Sequence, residues 1–215
     1  LVKGKKLGIH ALGANLLRDF TENAASIKAN TEWENYIKKL DSIANTNPEI
    51  PKNLQAELRS YQEDGFKWLS RLSNIGFGCL LADDMGLGKT VQSIAILLEQ
   101  APKGQCMVIA PASVCNVWRE EILKFAPSLN CISLNDKDRQ AQIANLSKMD
   151  ILICSYGLIY QIEEELLKQK FQMLIVDEAQ AIKNFNTKRF KIVTQIKATN
   201  RIALSGTPIE NRIDE

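Results

Sequence analysis

The sequence predicts an α/β fold in which a mostly parallel sheet is flanked by helices and preceded by a small helical segment. From about residue 54, short apolar runs alternate with segments of helical spacing. Continuous apolar strands separated by helices are typical of a parallel sheet that is buried on both faces. The chain has 215 residues, of which 45% are hydrophobic, and this is enough to form a large core.

The predicted elements alternate along the chain, the helices being assigned from apolar residues spaced three and four apart and the strands from unbroken apolar runs. The helices are ELRSYQEDGFKWLSRL, KTVQSIAILLEQ, SVCNVWREEILKF, DRQAQIANLS, GLIYQIEEELLK and FKIVTQIK. The strands are GCLLA, QCMVIAP, NCISL, DILICS, FQMLIVDE and NRIALSG. In the third helix, the spacing places Val117, Ile122 and Phe125 on the buried side.

Three regions differ in composition. Residues 1–47 are predicted to be a helical N-terminal extension from a preceding region, because apolar residues recur there at helical spacing. Residues 48–57 contain two prolines and are predicted to be a linker. Residues 58–215 then form the main domain. The chain ends in a polar segment without a closing helix or strand pattern, which favours a fragment of a longer protein.

Composition limits the kinds of partner and the cellular location that we expect for this protein. The net charge of +2 gives no bulk electrostatic reason to expect a polyanionic partner. No apolar run approaches the roughly 18 residues of a membrane span, so no membrane partner is expected. The five cysteines include no C-x-x-C pair. We interpret them as reduced core residues of a cytoplasmic protein, rather than as a disulfide framework or a zinc site.

The segments with unusual polar chemistry all follow predicted strands. They are DDMGLGKT, PAS, SYG, DEAQ and SGTP. In open parallel sheets, ligands bind at the carboxyl ends of the strands. The sequence therefore predicts a functional site at that edge.

The segment DDMGLGKT is close to the phosphate-binding pattern G-x-x-x-x-G-K-[ST], but Asp83 stands where the pattern has its first glycine. Gly86 and Gly88 can adopt positive φ, so that backbone amides could line an anion site at the start of the next helix. A lysine there could contact the β- and γ-phosphates, and a threonine could bind Mg²⁺. The alternative is a plain strand–helix turn. The predicted ATP-binding residues of the loop are Met85, Gly86, Leu87, Gly88, Lys89 and Thr90.

Two carboxylates directly follow the apolar run MLIV. Asp177 could hold Mg²⁺ through its waters, since this ion keeps several of them. Glu178 could orient and deprotonate an attacking water. A solvated acidic loop is the alternative for an isolated pair, but it is less common when a G-K-T segment is also present.

Together these motifs resemble the first RecA-like lobe of the SWI/SNF-type ATPases of helicase superfamily two. The resemblance covers residues 54–215 and includes six motifs in the family's order. They are LRSYQEDGFKWL, DDMGLGKT, VIAPASVCNVWREEI, ILICSYGLI, IVDEAQAIKN and RIALSGTPIEN. The phosphate loop of this family begins with an acidic residue where other P-loops have glycine, so Asp83 is the expected residue.

The resemblance implies further roles. Gln62 would read the adenine edge, and Glu178 would be the catalytic residue. Gln180 replaces the histidine of many relatives, which suggests a bacterial source. The residues implied in coupling nucleotide state to movement are Gln180, Ser205 and Thr207. The implied phosphate contacts to nucleic acid are Ser113, Asn116, Ser155 and Tyr156.

The implied activity is that of a DNA-dependent ATPase that uses ATP and Mg²⁺ and moves along duplex DNA without sequence specificity to remodel or displace protein–nucleic acid complexes. Its expected partners are a second RecA-like lobe of the same chain and a protein target of unknown identity, in the cytoplasm or nucleoid. Without that lobe's arginine finger, we expect residues 1–215 alone to be nearly inactive. The alternatives are a strand-separating DNA or RNA helicase lobe and an ATP-gated nucleic-acid-binding module with little hydrolysis.

Between Ala179 and Ile209 there are six basic residues and no acidic one. A run of this kind is commonly a solvated face of a helix. The alternative is a flank of the nucleic-acid path or of the second lobe.

Overall fold

The computed structural model describes residues 46–134 and 138–207 in full, together with the backbone of two short N-terminal strands. These strands are β1 (Val2–Lys3) and β2 (Lys6–Leu7), and they pair antiparallel. The chain divides into two compact units, Leu1–Asn47 and Pro48–Glu215. The helices predicted within residues 1–47 lie outside the described residues.

The described part of the second unit alternates helices and strands. The helices are α1 (Ser60–Asn74), α2 (Lys89–Gln100), α3 (Ala112–Phe125), α4 (Arg139–Ala144), α5 (Glu163–Lys168) and α6 (Lys188–Gln195). The strands are β3 (Cys79–Leu81), β4 (Cys106–Ala110), β5 (Asn130–Ile132), β6 (Asp150–Ser155), β7 (Lys170–Val176) and β8 (Lys197–Leu204). Short 3₁₀ helices lie at Ala101–Lys103, Leu158–Tyr160 and Ala179–Ile182. Among the described residues, no helix combines the length and the apolar character that a membrane span requires.

The six strands of this unit form one parallel sheet in the order β3-β8-β7-β4-β6-β5. Alternate residues of β4 enter two different apolar clusters: Val108 belongs to one, and Met107 and Ile109 belong to the other. Because successive strand residues point to opposite faces, both faces of the sheet are covered. The predicted fold class is confirmed.

The predicted helix GLIYQIEEELLK is broken in the structure. A 3₁₀ turn ends at Tyr160, and α5 begins at Glu163. The first turn of α5 consists of three glutamates, and negative side chains stabilise the amino end of a helix. Ile162, directly before α5, is buried in an apolar cluster. The glutamates therefore favour a new helix start at Glu163, whereas apolar periodicity alone predicts one continuous helix through this point.

The predicted inward face of α3 is partly wrong. Val117 is 45% exposed, whereas Trp118, one position later, is 0% exposed. Ile122 is buried as predicted. Burial of the large indole contributes more than burial of a valine, so the helix is rotated to place Trp118 in the core.

The strand order brings three loops together at the carboxyl edge of the sheet. Strands β3, β8 and β7 are neighbours, so the segments that follow them lie side by side. The Ser205 N–H donates to the Leu81 carbonyl at 3.1 Å, and the Asp177 N–H donates to the Ile109 carbonyl at 2.8 Å. Three of the segments singled out from the sequence therefore meet at one edge.

Candidate active site

The phosphate loop, residues 83–90, runs from the end of β3 into the first two residues of α2. Gly86 has φ of 84° and Gly88 has φ of 78°, a left-handed conformation that costs glycine little and other residues more. Gly88 is also the residue directly before α2, so the turn and the start of the helix coincide. The N–H groups at a helix start point outward and attract anions. The backbone of this loop is suited to bind phosphate.

The side chain of Lys89 spans the phosphate loop. Its Nζ donates to the carbonyl oxygens of Asp83 at 2.7 Å and Asp84 at 3.0 Å. The ammonium group is thereby held over the loop, where phosphate oxygens could replace the carbonyl acceptors. Thr90 is the second residue of α2 and is partly buried.

Asp83, which replaces the first glycine of the general pattern, contacts α2. Its carboxylate Oδ2 accepts a hydrogen bond from Gln92 Nε2 at 3.4 Å. Its carbonyl is one of the two acceptors for Lys89. The aspartate is therefore part of the loop's own hydrogen bonding.

Gln62, on α1, packs directly against the phosphate loop. Its Nε2 donates to the Leu87 carbonyl at 3.0 Å, and its Oε1 accepts from the Arg59 N–H at 3.0 Å. A Cβ on Gly88 would lie 2.3 Å from Gln62 Nε2. The predicted contact between Gln62 and adenine stays a prediction. The structure adds that this side chain also supports the phosphate loop.

Met85 lies at the exposed tip of the loop, with 75% of its surface accessible. Its Cγ is 3.0 Å from the position that a Cβ on Gly206 would occupy. A Cβ at position 206 would therefore touch the exposed side chain of Met85, which could move aside, while the Met85 backbone N would be 3.9 Å away.

The acidic pair, Asp177 and Glu178, directly follows β7. Asp177 Oδ2 accepts a hydrogen bond from Trp118 Nε1 at 2.8 Å, and Oδ1 accepts from the Glu178 N–H at 2.9 Å. Burial raises the pKa of the Asp177 carboxyl, and these two hydrogen bonds act against that rise. The carboxylate is fixed in orientation because each oxygen has a donor.

A chain of hydrogen bonds joins Glu178 to the segment after β8. Gln180 Nε2 donates to Glu178 Oε2 at 2.5 Å, and Ser205 Oγ donates to Gln180 Oε1 at 3.0 Å. The Thr207 N–H then donates to Ser205 Oγ at 3.1 Å. Gln180 is thus the bridge between the acidic pair and residues 205–207. A shift of either segment would change the surroundings of the Glu178 carboxylate.

Glu178 itself adopts the left-handed conformation, with φ of 48° and ψ of 55°. For a residue other than glycine this conformation is strained, and such strain is often found at functional sites. It turns the chain sharply away from β7 into the short 3₁₀ helix. The carboxylate of Glu178 thereby faces Gln180.

The oxygens of Thr90 and Asp177 could contribute to a magnesium site. Hydroxyl and carboxylate oxygens are the hard ligands that Mg²⁺ prefers, and the ion commonly takes only one or two protein carboxylates plus phosphates and water. Within residues 46–134 and 138–207, no group of three or more His, Cys, Asp or Glu side chains could hold a metal ion alone. All five cysteines are free thiols. The donor set fits a metal that arrives with a nucleotide.

The four predicted nucleic-acid contacts are placed differently from one another. Ser113 and Asn116 are exposed on the first turns of α3. Ser155 is partly buried, and its Oγ accepts from the Leu158 N–H at 3.2 Å. Tyr156 is only 5% exposed, and its hydroxyl donates to the Asp177 carbonyl at 2.6 Å. The Tyr156 side chain therefore supports the acidic pair rather than facing solvent.

Much of the basic run after Ala179 is engaged within the protein. Arg189 stacks on the Tyr156 ring, 5.1 Å from its centre. Arg201 donates to the carbonyls of Val193 and Ile196 near the end of α6. Lys188 pairs with Glu163 at 3.1 Å. These three cations have structural roles that the count of charges does not reveal.

Sequence reasoning did not identify the contacts that Trp118 and Tyr156 make with the acidic pair. It gave Trp118 no role in the site and named Tyr156 as a nucleic-acid contact. The signal that could have identified them is the polar atom that each carries, since a buried indole N–H or phenol O–H normally has a hydrogen-bond partner. The acidic pair supplies those partners.

Comparison with known proteins identifies the family to which this arrangement is similar. The family model described as the SNF2-related domain matches residues 61–215. YwqA of Bacillus subtilis (strain 168), which its name assigns provisionally to the ATP-dependent helicases/translocases, is 40% identical over 189 residues. The alignment covers 83% of this chain and 20% of YwqA.

A second relative is the chromatin-remodeling ATPase INO80 of Cryptococcus neoformans var. neoformans serotype D (strain B-3501A). It is 40% identical over 181 residues, which cover 77% of this chain and 10% of INO80. The chain therefore spans only a fifth or less of the length of these two relatives.

Solved structures show the same relationship. The SWI2/SNF2 ATPase core of Sulfolobus solfataricus in complex with double-stranded DNA matches with a TM-score of 0.68 and 39% identity. The match covers 78% of this chain and 36% of that one. The fold described above is thus the fold of a RecA-like lobe of such a core.

Proposed function

This chain belongs to the SNF2-related domain family, and on that premise we propose that it is the ATP-binding and ATP-hydrolysing lobe of a double-stranded DNA translocase. The observation that carries the proposal is the meeting of three loops at one sheet edge. They are the phosphate loop, the acidic pair and residues 205–207, and Gln180 joins the last two. Family membership agrees with the resemblance found in the sequence motifs.

ATP would bind with its phosphates on the loop between β3 and α2. The outward-pointing N–H groups at the start of α2 and the ammonium group of Lys89 would provide the positive potential. The carbonyls that now accept from Lys89 are uncharged, so phosphate oxygens would be stronger acceptors. Gln62 would contact the adenine edge while continuing to support the loop.

Hydrolysis would use the acidic pair. Thr90 and Asp177 would hold Mg²⁺, which when bound neutralises charge on the β- and γ-phosphate oxygens. Glu178 would orient the attacking water and accept its proton, a role that commonly contributes about 10²–10⁴-fold in rate. Glu178 is hydrogen-bonded to Gln180, which is hydrogen-bonded to Ser205. A movement near residues 205–207 would therefore alter the position of the Glu178 carboxylate.

Duplex DNA would be contacted through its phosphates, without sequence specificity. The exposed residues Ser113 and Asn116 lie at the start of α3, and small polar side chains and helix amino ends suit contacts of this kind. The Sulfolobus core that resembles this chain was solved with double-stranded DNA. A second RecA-like lobe of the same chain and a protein–nucleic acid complex as target complete the proposal, in the cytoplasm or nucleoid.

The test is a steady-state ATPase assay on the full-length protein, with and without duplex DNA. We expect duplex DNA to stimulate turnover and Lys89→Ala to abolish it together with tight binding of a fluorescent ATP analogue. Lys67→Ala serves as the matched control, because Lys67 lies on α1 and pairs only loosely with Glu63 at 3.7 Å. An Lys89→Ala protein with the affinity of the control would remove this loop from the proposal.

A separate experiment distinguishes translocation along the duplex from separation of its strands. A translocase should displace a third strand from a DNA triplex without separating the duplex itself. Strand separation in the same reaction would favour the helicase alternative. ATP binding without measurable turnover, in the presence of DNA, would favour the nucleotide-gated binding module.

A further inference from the structure

Asp177 is held from both faces of the sheet by buried side chains. Trp118 belongs to the apolar cluster on one face, and Tyr156 belongs to the cluster on the other. The indole N–H of Trp118 donates to the Asp177 carboxylate, and the hydroxyl of Tyr156 donates to the carbonyl of the same residue. Side chain and backbone of Asp177 are therefore fixed by different neighbours.

The contact from Trp118 is well suited to orient a carboxylate. The indole has one donor and no acceptor, so in a hydrogen bond with the aspartate it can only donate, and the carboxylate oxygen must accept. The ring is fully buried in α3, near Ile122, and its direction is set by close packing. The distance of 2.8 Å is that of a charge-assisted hydrogen bond.

The second oxygen of Asp177 completes the arrangement. Oδ1 accepts from the Glu178 N–H at 2.9 Å, so the plane of the carboxylate is defined by two fixed donors. A carboxylate oxygen has capacity for more than one interaction. Each oxygen can therefore bind a metal-coordinated water while it keeps its protein donor.

The backbone contact is itself reinforced. Arg189 covers the Tyr156 ring at 5.1 Å and donates to the Ala181 carbonyl at 3.2 Å. Tyr156 and Arg189 together thus connect the acidic pair to the 3₁₀ helix that follows it. A rotation of the Asp177 carbonyl group would break the hydrogen bond that it accepts from the Tyr156 hydroxyl.

We propose that Trp118 is a positioning residue, whose buried indole N–H orients the Asp177 carboxylate toward the Mg²⁺ that accompanies ATP. The inference rests on the proposed function and deepens it by naming the residue that aims the metal-binding group. Without this donor, the carboxylate would turn more freely, and the site would require more Mg²⁺ to fill. Residues that orient metal ligands in this way commonly contribute about 10–100-fold to metal affinity or activity.

The hydrogen bond is tested first, without metal or nucleotide. The protein is labelled with ¹⁵N, and the indole N–H resonances of its tryptophans are recorded. The Trp118 signal is the one that disappears in Trp118→Phe. In Asp177→Ala, which leaves Trp118 in place, that signal should move upfield, while the signal of the exposed Trp68 should not. An unchanged Trp118 signal would overturn the proposal.

The positioning role is tested by Mg²⁺ titration of ATP hydrolysis in the full-length protein. Trp118→Phe keeps an aromatic ring but lacks the donor, and Trp68→Phe is the matched control, because Trp68 is 42% exposed on α1. We expect the half-saturating Mg²⁺ concentration to rise about tenfold or more in Trp118→Phe alone. Affinity for nucleotide measured without Mg²⁺ should stay at the control value.

The outcomes separate this inference from the proposed function. Equal half-saturating Mg²⁺ in the two variants, with an active wild-type protein, would remove the positioning role and leave the proposed function intact. A wild-type protein without Mg²⁺-dependent hydrolysis would remove both. A loss of metal-free nucleotide affinity equal to the loss in Mg²⁺ response would indicate general damage to the site and would also overturn the inference.

Discussion

The two left-handed glycines of the phosphate loop offer a matched pair of substitutions. Gly86 has φ of +84° and nothing within 4 Å of the position that a Cβ would occupy. Gly88 has φ of +78°, but a Cβ there would lie 2.3 Å from Gln62 Nε2 and 3.3 Å from Val91 Cγ1. Gly86→Ala therefore adds backbone strain alone, whereas Gly88→Ala adds the same strain and an overlap with a buried side chain.

The expected magnitudes follow from these two terms. A left-handed conformation costs a residue other than glycine about 1–2 kcal/mol. Moving the Gln62 amide out of the way would break its hydrogen bonds to the Arg59 N–H and the Leu87 carbonyl, which costs about 1–3 kcal/mol more. We expect Gly86→Ala to lower the free energy of unfolding by about 1–2 kcal/mol and Gly88→Ala by about 2–5 kcal/mol. For a domain of this size, each kcal/mol lowers Tm by about 2–4 °C.

The assay is urea unfolding of each variant without nucleotide, so that phosphate binding does not contribute. A double-mutant cycle with Gln62→Ala isolates the overlap. Removing the amide should make Gly88→Ala less costly than it is in the wild-type background, with a coupling of about 1 kcal/mol or more. Equal destabilisation by Gly86→Ala and Gly88→Ala would refute the reasoning, because Gln62 could not then be packed against the loop.

Two further predictions concern chemistry. In the full-length protein, Glu178→Gln should bind ATP normally but lose about 10²–10⁴-fold in turnover, because the amide cannot accept the proton; unchanged steady-state ATPase would contradict this. Burial raises the pKa of Cys106 and Cys154 to about 12, so at pH 8 these thiols should label with a disulfide reagent far more slowly than the partly buried Cys115 and Cys131. Equal rates for all four in the native protein would contradict the burial, and labelling in urea provides the control.

The sequence was sufficient to predict the sheet and the edge of it at which the phosphate loop, the acidic pair and residues 205–207 meet. The reason is that a buried parallel strand requires an unbroken apolar run, and a functional residue directly after it is visible as a break in that run. Asp177 and Glu178 follow such a run, and the phosphate loop carries glycines that its turn requires. These features are local in sequence, so spacing alone reveals them.

The supporting contacts could not be predicted in the same way, because they join distant parts of the chain. Trp118 and Asp177 are separated by 59 positions, and Gln62 and Leu87 by 25. Helical spacing correctly predicted a buried face for α3, but it placed Val117 there, since periodicity does not resolve a rotation of one residue. That rotation decides which side chain reaches the acidic pair.

The roles that depend on ligands remain predictions. They include the adenine contact of Gln62, the metal contacts of Thr90 and Asp177, and the nucleic-acid contacts of Ser113 and Asn116. For Tyr156, the structure gives a concrete alternative role, because the side chain is buried and its hydroxyl donates to the Asp177 carbonyl. The DNA contacts at this edge are therefore expected from α3 rather than from the Tyr156 ring.

The internal bonds of Lys89 have a consequence for the timing of nucleotide exchange. Its ammonium group has two carbonyl acceptors within its own loop. Under the proposed function, nucleotide binding would therefore replace this pair of acceptors by phosphate oxygens, and the same carbonyls would accept from the ammonium group again when the product leaves. The loop would thus keep its shape from one turnover to the next, and product release would not require refolding of the binding site.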